Sequence, residues 1–103
     1  MSRLYDMSVT VTGVPEDKVD PVIEACCGEW DFDTDSLYES VDKDSGLPLL
    51  YMTGEANLCG GESEEEFATR LAEAIWVANK GRCRVQVDAT CLENMPREVH
   101  IRE

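Results

Sequence analysis

Apolar residues occupy the odd positions Tyr5, Met7, Val9 and Val11, while Asp6, Ser8, Thr10 and Thr12 fill the even ones. A period of two marks a strand with one buried face, and Gly13 ends it. The spacing then changes. Val19, Val22, Ile23, Cys26 and Cys27 follow the i, i+3, i+4, i+7, i+8 stripe of a helix over residues 15–28, with Pro15 near its start and Gly28 placed to terminate it. Pro21 lies inside that stripe and removes a backbone donor, so the helix either kinks there or begins its regular part with Asp20 as cap. Residues 30–36 are acidic and irregular. Residues 37–41 and 47–58 read as two strands, joined into a hairpin by the turn-forming residues 42–46. Along the longer one Leu50, Met52, Ala56 and Leu58 share a face, and Gly54 between them marks a bulge or a close approach by the helix above.

Ser63 followed by Glu66 forms a capping box, Glu64 and Glu65 complement the positive helix end, and Phe67, Leu71, Ala74, Ile75 and Ala78 make the buried stripe of a second helix over residues 64–80. Lys80 near its end and Gly81 just past it close that helix. Cys83, Val85, Val87, Ala89 and Cys91 then alternate with Arg84, Gln86, Asp88 and Thr90 as a fourth strand. After a turn at residues 94–97, residues 99–101 supply an optional fifth strand at the sheet edge, with Val99 and Ile101 facing inward and His100 on the polar side.

The order β-α-β-β-α-β predicts an α+β fold of the ferredoxin-like, split βαβ kind: one antiparallel sheet with both helices on one face. Met7, Val9, Ile23, Met52, Phe67, Leu71, Ile75, Val85 and Val87 are its expected core, and the 103 residues make a single domain over 1–103.

Charge narrows the function. The chain holds 22 acidic and 9 basic residues, a net charge of −13 that repels nucleic-acid phosphates and anionic membranes. Direct nucleic-acid binding is therefore disfavoured. The excess is lopsided: residues 1–69 hold 17 acids and 3 bases, residues 70–103 hold 5 and 6. Glu16, Asp17, Asp20, Glu24, Glu29, Asp31, Asp33, Asp35, Glu39, Asp42 and Asp44 crowd one stretch against Lys18 and Lys43 alone. Two readings follow, an acidic face kept for solubility or a docking face for a basic partner. No apolar run is long enough to span a bilayer, and no basic start with an apolar block marks secretion, so a soluble cytoplasmic protein is expected.

Cys26, Cys27, Cys59, Cys83 and Cys91 form no C-x-x-C pair, so zinc-ribbon and thioredoxin chemistry have no motif and five free, packing thiols are expected. Residues 31–42 place oxygen donors Asp31, Asp33, Asp35, Glu39 and Asp42 at positions 1, 3, 5, 9 and 12 of a calcium loop. Ser36 replaces the turn glycine, Asp42 is shorter than the closing glutamate, and strand rather than helix follows; at most a weak divalent site remains. The single histidine, the lack of a nucleophile signature and Gly60-Gly61 without a following lysine point away from an enzyme, and no cofactor is implied. Trp30 and Trp76 read as core or rim packing, with an interface aromatic as the alternative.

The runs Glu64-Glu65-Glu66-Phe67, Ala74-Ile75-Trp76-Val77-Ala78-Asn79, Gly81-Arg82-Cys83-Arg84-Val85-Gln86-Val87, Ala89-Thr90-Cys91-Leu92-Glu93 and Pro96-Arg97-Glu98 resemble small proteins of bacterial prophages and other mobile elements. That group has no assigned activity, so no catalytic residue carries over. The resemblance implies a phage-associated accessory protein of ferredoxin-like fold. With the acidic stretch it suggests a module that binds a basic host protein, as a nucleic-acid mimic or a defence inhibitor of the anti-CRISPR type. The alternative is a small metal-responsive protein using residues 31–42.

Overall fold

The computed structural model describes residues 3–33, 35, 37–44, 46–58, 63–91 and 97–103. Strand β1 (Arg3–Thr12) leads through a 3-10 turn at Glu16–Lys18 into helix α1 (Val19–Glu29). The hairpin of β2 (Tyr38–Val41) and β3 (Pro48–Leu58) follows, then helix α2 (Glu64–Asn79) and strands β4 (Arg84–Cys91) and β5 (Arg97–Arg102). The fold is α+β, and the described residues form two α-helices and one sheet of five strands in the order β2-β3-β1-β4-β5, every pairing antiparallel. The sheet is thus one strand wider than the four-stranded plan: β5 runs over six residues, twice the length of the expected 99–101 segment, and pairs with β4 from Val85↔Arg102 to Thr90↔Arg97.

Period two places Tyr5, Met7, Val9 and Val11 on the core side of β1. Across the ladders Val9 faces Met52 and Val87, and Val11 faces Leu50 and Val85, so the buried row runs through the three central strands. Val22 and Cys26 of α1, four residues apart, and Phe67, Ala68, Leu71, Ala72 and Ile75 of α2 complete the same cluster. Eight of the nine expected core residues are fully buried; Ile23 is the exception, half-buried on the flank while Val22 takes the deep position.

Local chemistry explains the helix ends. Pro21 is the third residue of α1, where the missing N–H is one that no intrahelical carbonyl would have received, so the helix tolerates it and begins before Asp20, with Lys18 as its N-cap. Gly28 lies inside α1 and does not terminate it, because the helix continues through Glu29. At α2 the Ser63 hydroxyl accepts from the Glu66 N–H at 3.1 Å, as the capping box requires. The far end is closed by Lys80 itself in the left-handed region (φ 58°, ψ 35°), its N–H turned back to the Trp76 and Val77 carbonyls.

Two placements differ from the expected ones. Gly54 is approached by residues 31–32 and not by a helix: a Cβ at this position would stand 2.2 Å from the Asp31 carbonyl oxygen and 2.8 Å from Phe32 Cα. Residues 30–33 form a strap along β3, held by Trp30 Nε1 donating to the Gly54 carbonyl (2.9 Å) and the Asp33 N–H donating to the Thr53 carbonyl (2.8 Å). The other difference is in β5. Its register sets His100 opposite Val87 and Ile101 opposite Gln86, so His100 faces the core side, and Val99 and Ile101 face the open side at 46% and 42% exposure. The pairing to β4 decides this, since alternation alone cannot say which face of an edge strand is covered.

Candidate interaction face

Eleven acidic residues are candidates, and the fold gathers only some of them. Glu16 in the 3-10 turn, Asp20 in the first turn of α1 and Glu39 on β2 line one open groove of about 410 Å³, floored by Val19, Val41 and Pro48. The register explains the convergence. Glu39 pairs with Leu50 and Val41 with Pro48, so both point to the core side of the sheet edge, toward the start of α1. The groove lining carries three carboxylates and no basic side chain. Beside it, Lys18 Nζ stands 3.8 Å from Asp17 Oδ2, which compensates Asp17 rather than the groove.

The remaining candidates are spread out. Glu24 is exposed on α1. Glu29 Oε2 accepts from Arg70 Nη1 at 2.8 Å, and the Arg70 guanidinium lies 5.1 Å from the Phe67 ring centre, so this carboxylate ties α1 to α2. Asp31 and Asp33 sit on the strap, where Asp33 Oδ1 accepts the Asp35 N–H at 2.9 Å. Asp42 closes the hairpin, its N–H bonded to the Leu47 carbonyl (2.9 Å) and its carbonyl to the Gly46 N–H (2.8 Å), with Asp44 exposed in the turn. The five donors of the calcium spacing are therefore strung over a strap, a strand and a turn. Among the described residues no group of three His, Cys, Asp or Glu side chains could hold a metal ion; Ser36, at the turn position of that spacing, lies outside them.

The described thiols are packing groups. Cys26, Cys27, Cys83 and Cys91 are unpaired, while Cys59 lies outside the described residues. Burial, reinforced by the neighbouring Cys27 and Cys83, pushes the Cys26 thiol up to about 12, and burial pushes Cys83 up to about 11. Neither thiol supplies a thiolate nucleophile at neutral pH.

Both tryptophans are structural. Trp30 meets the Phe67 ring edge-on with centroids 5.0 Å apart, and Trp76 Nε1 donates to the Cys83 carbonyl at 2.8 Å under the Arg82 guanidinium. The sequence reading missed the open side of the sheet. There Tyr51 donates to Ser8 Oγ (3.3 Å), Ser8 to Thr53 Oγ1 (3.2 Å) and Thr53 to Asp6 Oδ1 (2.8 Å), a chain of hydroxyls ending on a carboxylate. The even-numbered polar residues of β1 were its visible signal. Comparison with protein-family models, curated proteins and solved structures finds no match to this chain. No helix is long and apolar enough to cross a membrane among the described residues.

Proposed function

We propose that the chain is a non-enzymatic acidic interaction module that docks a basic patch of another macromolecule. The observation that carries this reading is the groove of Glu16, Asp20 and Glu39, three carboxylates over an apolar floor without a basic counterpart in its lining. Such a site offers charge to a Lys- or Arg-rich surface and apolar contact to the stems of those side chains. The resemblance of the C-terminal half to prophage proteins makes a basic, nucleic-acid-handling host protein the proposed partner, with the module acting as a mimic or inhibitor. For the fold, the order β2-β3-β1-β4 within the wider sheet and the shared core of α1 and α2 support a ferredoxin-like plan carrying an extra edge strand.

The test is affinity capture of a partner followed by titration at low and high salt, using the wild type and the Glu16→Gln, Asp20→Asn, Glu39→Gln variant. Screening over about 8 Å at physiological ionic strength makes a carboxylate-driven complex weaken as salt rises. The variant should weaken it as well and flatten the salt dependence. A partner whose affinity ignores both changes would leave the groove a solvated surface.

A further inference from the structure

Sheet order leaves β5 as an edge, with no strand beyond it among the described residues, so one side of its backbone has no ladder partner, although the Ile101 carbonyl accepts from the Arg102 guanidinium at 3.0 Å. Natural edges are usually short or interrupted by proline, whereas β5 spans six residues without one, and its charges are of both signs, Arg97, Glu98 and Arg102. Its sequence, extended by one residue, is Arg97-Glu98-Val99-His100-Ile101-Arg102-Glu103. Read from either end toward His100, each charge meets its opposite and each aliphatic residue meets an aliphatic one.

We propose that β5 pairs antiparallel with β5 of a second copy of this chain, about a two-fold axis at His100. Directly opposed residues of an antiparallel pair share a sheet face and bring their Cβ atoms to about 4.5–5.5 Å. That register sets Glu98 against the partner's Arg102 on the core side. It sets Val99 against the partner's Ile101, and Arg97 against the partner's Glu103, on the open side. The two-fold repeats each contact, which is the self-complementarity a symmetric dimer requires. Val99 and Ile101, half-exposed in the single chain, gain an aliphatic neighbour.

Charge favours this edge over the other. β2, the strap and the acidic groove lie at the far side of the sheet, whereas β5 carries Arg97 and Arg102 against Glu98, with Glu65 of α2 standing 3.8 Å from Arg102. Two copies meeting at β5 hold their acidic grooves apart, and Arg102 stands between the first turn of α2 and the junction. The product is a continuous ten-stranded sheet with an acidic groove toward each end.

Sedimentation equilibrium of the full chain tests the idea. A reversible monomer–dimer equilibrium in the micromolar range is expected, and a monomer at every concentration up to millimolar overturns the proposal, leaving the β5 charges as guards of an unpaired edge. Arg97→Glu creates two like-charged pairs against the partner's Glu103, and Glu98→Arg creates two against the partner's Arg102. Each should weaken dimerisation about thirtyfold, the loss of two attractive pairs and gain of two repulsive ones. The swaps Arg97→Glu with Glu103→Arg, and Glu98→Arg with Arg102→Glu, should restore it. The first swap uses exposed side chains only; the second also removes the contacts of Arg102 with Thr69 and Glu65, so a melting curve accompanies it. Dimers that persist in both single variants, or that the first swap fails to restore, would show that β5 is not the interface.

Discussion

Gly54→Ala should be among the most damaging single-methyl changes in this protein. The added carbon would sit 2.2 Å from the Asp31 carbonyl oxygen and 2.9 Å from its carbon, both backbone atoms, so no side-chain rotation relieves the clash. The strap or β3 must move. Overpacking of this kind costs about 1–3 kcal/mol. Displacing the strap also stretches the bond from Trp30 Nε1 to the Gly54 carbonyl, worth about 1 kcal/mol when buried. Together these give about 2–4 kcal/mol, or a fall in Tm of about 10–25 °C for a domain of this size. Gly28→Ala is the matched control: nothing lies within 4 Å of its Cβ position, it is helical, and the change should raise stability by about 0.5–1 kcal/mol. Urea unfolding of both variants, followed by tryptophan fluorescence, measures the pair, since Trp30 reports the strap directly. A Gly54→Ala protein within about 0.5 kcal/mol of wild type would refute the close approach of strap and strand.

The cap of α2 gives a second expectation: Ser63→Ala removes the acceptor for the Glu66 N–H and should cost about 1 kcal/mol by thermal melting. Lys80→Gly should instead stabilise by about 0.5–1 kcal/mol, because the left-handed backbone at φ 58° is strained for lysine and free for glycine; a lower Tm would contradict that geometry. Five free thiols are expected by chromogenic titration in non-reducing denaturant, with Cys26 and Cys83 reacting slowly in the native protein, and a count of three or one would mean a disulfide. Burial raises the folded pKa of Cys26 from 9.0 to about 12, so the unfolded chain loses its thiol proton first. Stability should therefore hold below pH 9 and fall above it by up to about 1.4 kcal/mol per pH unit for this group, with a shallower fall in Cys26→Ala.

The elements most legible in the sequence are those whose signal is local. The capping box and 3.6-residue stripe set α2 to within a residue at its end, and period two set β1 and β4, because those patterns are properties of the elements themselves. What the chain could not show locally depends on partners far away in sequence. The strap looked irregular because its order comes from β3, through Trp30 to Gly54 and Asp33 to Thr53. In β5 the aliphatic Val99 and Ile101 suggest a buried face, whereas the register to β4 puts Glu98, His100 and Arg102 on the core side. The acidic groove was half legible: the charge was plain, but only the β2–β3 register brings Glu39 to Glu16 and Asp20 and leaves Glu29 paired with Arg70.

Sheet order is what turns a lopsided sequence into a lopsided molecule. Had β2 paired beside β4, the acidic and near-neutral halves would interleave and their fields would partly cancel. Instead β1, the first strand, sits in the middle, the acidic hairpin lies to one side and β4 with β5 to the other. Like charges are thereby concentrated at one edge, where their repulsion is a standing cost that folding must offset. The strap offsets part of that cost by other means, through the bond of the Asp33 N–H to Thr53 and the burial of Trp30 and Phe32, while Asp31 and Asp33 stay exposed. Carboxylates carried on an anchored segment, instead of on a flexible tail, keep the entropic cost of ordering that segment out of any later association.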